Sequence, residues 1–192
     1  MNAGGYTNPD DPAFDRGVCD QDRTHLASFT VAAQTPRFAA RALGSWASDW
    51  RISGIVSGRS GAPINVLAGS DRAYTGIANQ RANQVLANPY GDGTLNNWLN
   101  AAAFELPAPG TLGNFRRNSV RGPGFWTVDA ALSRVVSLGA SRRLALRVEA
   151  FNLFNTFNWD VPEVNFGSSG FGRITSMAGT PRIMQFGVSY AF

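Results

Sequence analysis

Lysine is absent from this chain, histidine and cysteine occur once each, and glutamate occurs three times. The single Cys19 excludes an internal disulfide. With His25 as the only imidazole, no Ser/His/Asp or Cys/His arrangement has a base to spare, so the chain is expected not to be an enzyme and to need no cofactor. Charged residues make up 16%, below the roughly 25% usual in soluble domains, and disorder would need more charge, not less. No apolar run approaches the ~18 residues of a membrane-crossing helix. The opening "MNAGGYTNPDDPAFDRG" has neither the basic start nor the apolar stretch of a signal peptide. All 17 basic residues are arginines scattered along the chain. The net charge of +4 and a pI near 10.0 therefore come without the basic run or arginine–aromatic platform that nucleic acid requires, and no nucleic-acid partner is expected.

What is present is glycine, aromatic residues and alternation. Convincing helical periodicity is lacking, and period-two stretches recur five times. In "HLASFTVAAQ", Ala27, Phe29, Val31 and Ala33 oppose Ser28, Thr30 and Gln34. In "DWRISGIVSG", Trp50, Ile52, Gly54 and Val56 oppose Arg51, Ser53 and Ser57. "WTVDAALSRVVSL" sets Trp126, Val128, Ala130, Leu132, Val136 and Leu138 against Thr127, Asp129, Ser133 and Ser137, with Arg134 interrupting the apolar set. "RRLALRVEAFNLFN" sets Leu144, Leu146, Val148 and Ala150 against Arg143, Arg147 and Glu149. At the carboxyl end, Phe186, Val188, Tyr190 and Phe192 oppose Gly187, Ser189 and Ala191.

The connections differ in length. "LGAS" is a tight turn and "TPRFAARALGSWAS" a modest link, whereas a Gly-, Asn- and Pro-rich connection runs from about residue 67 to 124, far beyond the usual ~4–6 residues. A second irregular stretch covers about Trp159 to Thr180. Short and long connections thus alternate, as in outer-membrane barrels with short periplasmic turns and long external loops. Strands of ~10 residues cross a bilayer when tilted, and their backbone is satisfied there only in a closed barrel. The fold class read from this pattern is all-β, an antiparallel meander of five transmembrane strands. A soluble β-sandwich, such as a carbohydrate-binding module, shows the same alternation with its charged faces outward. The aromatic final strand and the alternating connection lengths favour the barrel.

"RGPGFWTVDAALSRVVSLGASRRLALRVEAFNLFNTFNW" followed by "FGRITSMAGTPRIMQFGVSYAF" closely resembles the C-terminal end of TonB-dependent outer-membrane receptors. The nearest group is the Oar-like type, whose long chains often begin with a carboxypeptidase-regulatory-like domain. "FDRGVCDQDRTH", "WRISGIVSGRSGAPINV" and "NWLNAAAF" are similar to that group as well, so the resemblance covers nearly the whole chain from Phe14 onward. It implies part of a 22-stranded barrel with a plugged lumen. Residues 1–24 are then an external loop remnant, residues 25–192 the C-terminal portion of the barrel, and about 67–124 an external loop. It implies a receptor for a large nutrient (siderophore, glycan or peptide). Plug, TonB box and most strands are missing, so the chain is expected to be a fragment, inactive by itself. The implied partners are outer-membrane lipid, the barrel-assembly machinery and, through the missing N-terminal part only, the TonB complex. The C-terminus is expected in the periplasm of a bacterial cell, with Phe186, Val188, Tyr190 and Phe192 forming the strand that the assembly machinery reads.

Asp129, Arg143, Arg147 and Glu149 share the polar face, where a barrel would hold them toward its lumen as a structural charge ladder, and Arg134 is expected to snorkel at a rim. Trp46, Trp50 and Trp126 lie near strand ends, where an aromatic girdle belongs. Phe151 and Phe154 are expected on opposite faces near the outer rim. The cluster Cys19, Asp20, Asp22 and His25 fits no zinc spacing, and is expected to be a loop in which Asp22 and Arg23 pair or cap the turn. "YGDGTLNNW" lacks the carboxylates of a calcium loop, and "RGPG" lacks the spacing and helix of a phosphate cradle. No catalytic, metal or ligand-binding residue is assigned.

Overall fold

The computed structural model describes residues 6–38, 46–139 and 141–192. Its long strands are β1 (Leu26–Gln34), β2 (Trp50–Arg59), β3 (Phe125–Ser137), β4 (Arg143–Phe151) and β5 (Ile183–Ala191). They form one antiparallel sheet in the order β1-β2-β3-β4-β5. All five alternating stretches of the sequence are therefore strands. The apolar sets are in phase across the sheet: Leu132 lies opposite Ile52 and Val148, and Val148 opposite Phe186. A slip of one residue in any strand would turn its apolar set to the other face, so the alternation itself fixes the register. β1 and β5 each have one neighbour and form open edges. Residues 35–49 and the tight turn closed by Leu138 N–H donating to Arg142 O (2.8 Å) connect strands at one end of the sheet. Residues 60–124 and 152–182 connect them at the other.

The strand expected to run on through Asn155 ends at Phe151, because Asn152 and Asn155 adopt φ of 51° and 52°. That left-handed conformation is open to asparagine but not to a continuing strand.

The described residues form two compact units. One consists of the sheet with residues 25–59, 125–157 and 179–192. The other gathers residues of 1–24, 60–124 and 158–178. The long connections, which read in sequence as loop, build a core of their own. Ile64, Val66, Ala82, Leu99, Ala103, Phe104, Phe115 and Val120 are buried together, with Trp98, Val164, Phe166 and Phe171 packed against them. Phe104 meets Phe115 and Phe171 edge-on, with centroids 5.6 Å apart in each case, the geometry that aromatic quadrupoles favour. Short ladders hold the segments: Pro63–Ile64 with Val120–Arg121, Asn83–Gln84 with Phe104–Glu105, and a hairpin of Tyr90–Thr94 with Asn97–Leu99. Gly61 permits one close approach, since a Cβ there would lie 1.8 Å from Gly122 O.

Arg81 is the polar centre of this unit and is 3% exposed. Its Nη1 donates to Asp15 Oδ1, its Nε to Phe115 O and its Nη2 to Phe14 O, each at 2.8 Å. The guanidinium lies 4.0 Å from the Phe14 ring centroid. The segment around Pro12–Asp15 is thereby tied to residues 81 and 115.

Candidate functional site

The two faces and two ends of the sheet differ in chemistry. On one face stand Phe29, Ile52, Val56, Leu132, Leu146, Phe186 and Val188, with their counterparts in register. They are exposed: Phe186 by 74%, Val188 by 72% and Phe29 by 66%. A sandwich would bury such a face, whereas here its side chains are exposed. An in-register apolar sheet face of this extent is too large for a solvated monomer surface and needs an apolar surrounding.

Aromatic side chains mark both ends of that face. Trp50 begins β2 and lies opposite Arg134; Trp126 lies opposite Gly58, at the other end of the same ladder. Trp50 Nε1 donates to Trp46 O at 2.7 Å, and Trp46, outside the strands, is exposed. The Arg134 guanidinium sits 5.3 Å from the Trp50 ring, so the cation that interrupts the apolar set is among the end aromatics. Tyr190 and Phe192 stack at 5.9 Å. Trp126 is 6.4 Å from Phe154, a tilted pair at the end that carries the long connections.

The opposite face carries the charged residues of the strands other than Arg134, with Ile55, Val135 and Ile183 among them. Arg147 Nη2 donates to Glu149 Oε1 at 2.6 Å. Arg51 and Arg147 flank Ser133 in one cross-strand row, and Arg51 Nε donates to Gln34 Oε1 at 3.3 Å. Asp129 is engaged elsewhere: its Oδ1 accepts the Asn152 N–H at 2.8 Å. Arg143 lies opposite Ser137 and Ala191 near the strand ends. Of the four charges expected to form one ladder, an ion pair joins Arg147 and Glu149 among the described residues, while Asp129 and Arg143 sit in separate rows.

Asp129 instead anchors the turn after β4, a role the sequence reading missed. Asn152 Nδ2 donates to Thr156 O and Thr180 O, both at 3.0 Å, and its Oδ1 accepts the Thr156 N–H at 2.8 Å. Asn155 Oδ1 accepts the Arg182 N–H at 3.0 Å. "FNLFN" is thus a knot linking β3, β4 and the entry to β5. The signal for it was present, since asparagine is the ordinary non-glycine occupant of a left-handed position. Replacing buried Asn152 by alanine removes three side-chain hydrogen bonds and the left-handed preference together, and should cost about 2–3 kcal/mol. Asn152→Gly restores the backbone freedom and is expected to recover about 1 kcal/mol of that. Urea midpoints of the two variants in lipid measure both quantities.

The Cys19–His25 stretch is organised by other segments. Asp22 pairs with Arg121, and Asp20 Oδ1 accepts from Asn118 Nδ2 at 2.6 Å. Arg23 donates to the carbonyls of Asp20 and Asp22 and so caps the turn, one of the two expected arrangements, while Asp22 pairs with Arg121 and not with Arg23. Cys19 is exposed. Among the described residues no set of His, Cys, Asp and Glu is grouped to hold a metal. "YGDGTLNNW" lies in the Tyr90–Leu99 hairpin, and the Thr94 N–H donating to Asp92 holds its carboxyl below the ordinary value.

The family described as outer membrane beta barrel domain matches residues 1–185. Comparison with curated proteins and with solved structures finds no match.

Proposed function

The chain belongs to the outer membrane β-barrel domain family, and on that premise we propose that its five strands are a section of the wall of a TonB-dependent receptor of the Oar-like type, admitting a large nutrient such as a siderophore, glycan or peptide. One in-phase sheet with a bare apolar face and a face bearing Arg51, Asp129, Arg147 and Glu149 carries the reading. Acyl chains solvate the first face and lumenal water the second. The polar face also holds small residues, such as Ser53, Ala131, Ser133 and Gly187, between its charged ones. A sheet with two open edges encloses no pore, so transport requires further strands at β1 and β5.

In this reading the C-terminus is periplasmic and the long connections face outward. The barrel-assembly machinery takes β5 through Phe186, Val188, Tyr190 and Phe192, and the TonB complex acts through a plug outside these strands. By itself this section of wall neither conducts nor catalyses.

Expression in a host with a functional outer membrane tests this. The protein should fractionate with that membrane, and Cys19, its one thiol, should react with a membrane-impermeant maleimide on intact cells. Recovery as a soluble, monodisperse protein would sink the wall reading. Labelling only after permeabilisation would reverse the orientation.

A further inference from the structure

The unit built from the connections contains a cavity of about 640 Å³, within the ~300–1,000 Å³ of small-ligand sites. Its described lining residues all belong to that unit. One wall is aliphatic, formed by Ile64, Leu67, Ile77, Val161 and Val164. The other is polar and balanced in charge, with Asp15 and Asp20 against Arg81 and Arg117. Asp15 and Arg81 are bonded to each other. Asp20 and Arg117 are not: Arg117 Nη2 stands 3.8 Å from Asp20 Oδ1, too far for a hydrogen bond, and the two side chains are 54% and 37% exposed. A carboxylate and a guanidinium thus lie side by side at the cavity, held together by charge alone.

The polar wall already pairs with a peptide backbone. Arg81, Arg117 and Asn118 donate to the carbonyls of Phe14, Asp15 and Val18, at 2.8, 3.2 and 2.7 Å. No residue of 6–24 is buried, so polar bonds of this kind hold that segment in place. The lining also separates ligand classes. A negatively charged ferric chelate calls for an excess of cations, and this lining has none. A pyranose ring packs its face on an aromatic side chain, and among the described residues no aromatic ring lines the cavity. A peptide needs an acceptor for its N–H beside a donor for its C=O, as Asp20 and Arg117 provide, and a dry place for an apolar side chain. We propose that this cavity binds a short peptide, with a backbone amide at Asp20 and Arg117 and an aliphatic side chain against Leu67, Ile77 and Val164. The proposal rests on the receptor reading only in taking one of its three nutrient classes, the peptide.

Calorimetric titration of the full chain in detergent micelles with the blocked tripeptide N-acetyl-Val-Ala-Val amide tests it, with maltotriose and a ferric tris-catecholate as the competing classes. The tripeptide should bind saturably and the other two should not. Asp20→Ala/Arg117→Ala should weaken the tripeptide about tenfold, the worth of two hydrogen bonds. Val161 is 43% exposed at the cavity, and Val161→Trp, which fills the space from that side, should abolish binding. Hydrogen exchange at the Ala82 amide, which donates to Val66 O, reports whether the unit stays folded in each variant. Should the double variant lose that protection, Val161→Trp decides. Absence of saturable tripeptide binding by the native chain overturns the proposal, as does undiminished binding by a folded variant or tighter binding of the trisaccharide or the chelate. The titration is read without reference to where the chain fractionates, so its failure is distinguishable from failure of the wall reading.

Discussion

Arginine in place of Leu132 is expected to cost about 2–4 kcal/mol of folding free energy in a bilayer, whereas arginine at the preceding residue, Ala131, should cost less than about 1 kcal/mol. The two positions are adjacent in β3 and point to opposite faces. Leu132 lies between Ile52 and Val148, in the middle of the apolar face, so a guanidinium there would be solvated by acyl chains. Ala131 lies between Ser53 and Glu149, and an arginine at that point gains a carboxylate directly opposite. Urea unfolding of both variants after refolding into phosphatidylcholine vesicles, with gel mobility before and after heating as the folding assay, separates the cases. Similar losses for both would mean that the apolar face does not meet lipid. Tolerance at Leu132 with loss at Ala131 would mean that the faces are assigned the wrong way round.

Arg81→Met should unfold the connection-built unit locally, at a cost of about 3–5 kcal/mol, because it leaves Asp15 and the carbonyls of Phe14 and Phe115 without the cation that satisfies them. Hydrogen exchange reads the effect by position. The amides of Ala82 and Phe115, which donate to Val66 O and Ala82 O, should lose protection, while those of Leu132 and Val148 keep it. Acid should act in the same place. Burial raises the Asp15 carboxyl, but the hydrogen bonds from Arg81 and the Thr7 N–H outweigh it and hold the group below the ordinary value of 3.8. A carboxyl depressed in the folded state adds stability above its unfolded pKa and loses it as pH falls through the folded one. Protection at Ala82 should therefore decline below about pH 4 in the native chain, and the pH response should be missing from Arg81→Met. Uniform loss across both units would contradict a local role.

The sheet was legible in the sequence because period-two alternation is local: Leu144, Leu146 and Val148 declare their face without knowledge of any neighbour. The connection-built core was not. Its members Ile64, Val66, Ala82, Leu99 and Phe115 follow no period and meet only through long-range packing. Gly, Asn and Pro between them read as loop whether or not a core forms. Arg81 was opaque for the same reason, since its partners Asp15 and Phe115 lie far away in the chain. The hydrogen bond of Asp129 was not legible, because only the turn of Asn152 brings that backbone N–H within its reach.

A meander of five crossings has an odd count, so its first and last members point the same way. Identical copies set side by side around an axis normal to the membrane would abut β5 on β1 in parallel, with none of the narrow and wide hydrogen-bond pairs that every other seam uses. An antiparallel ring can be completed only by a stretch with an odd number of crossings, whose two outermost members both run counter to β1 and β5.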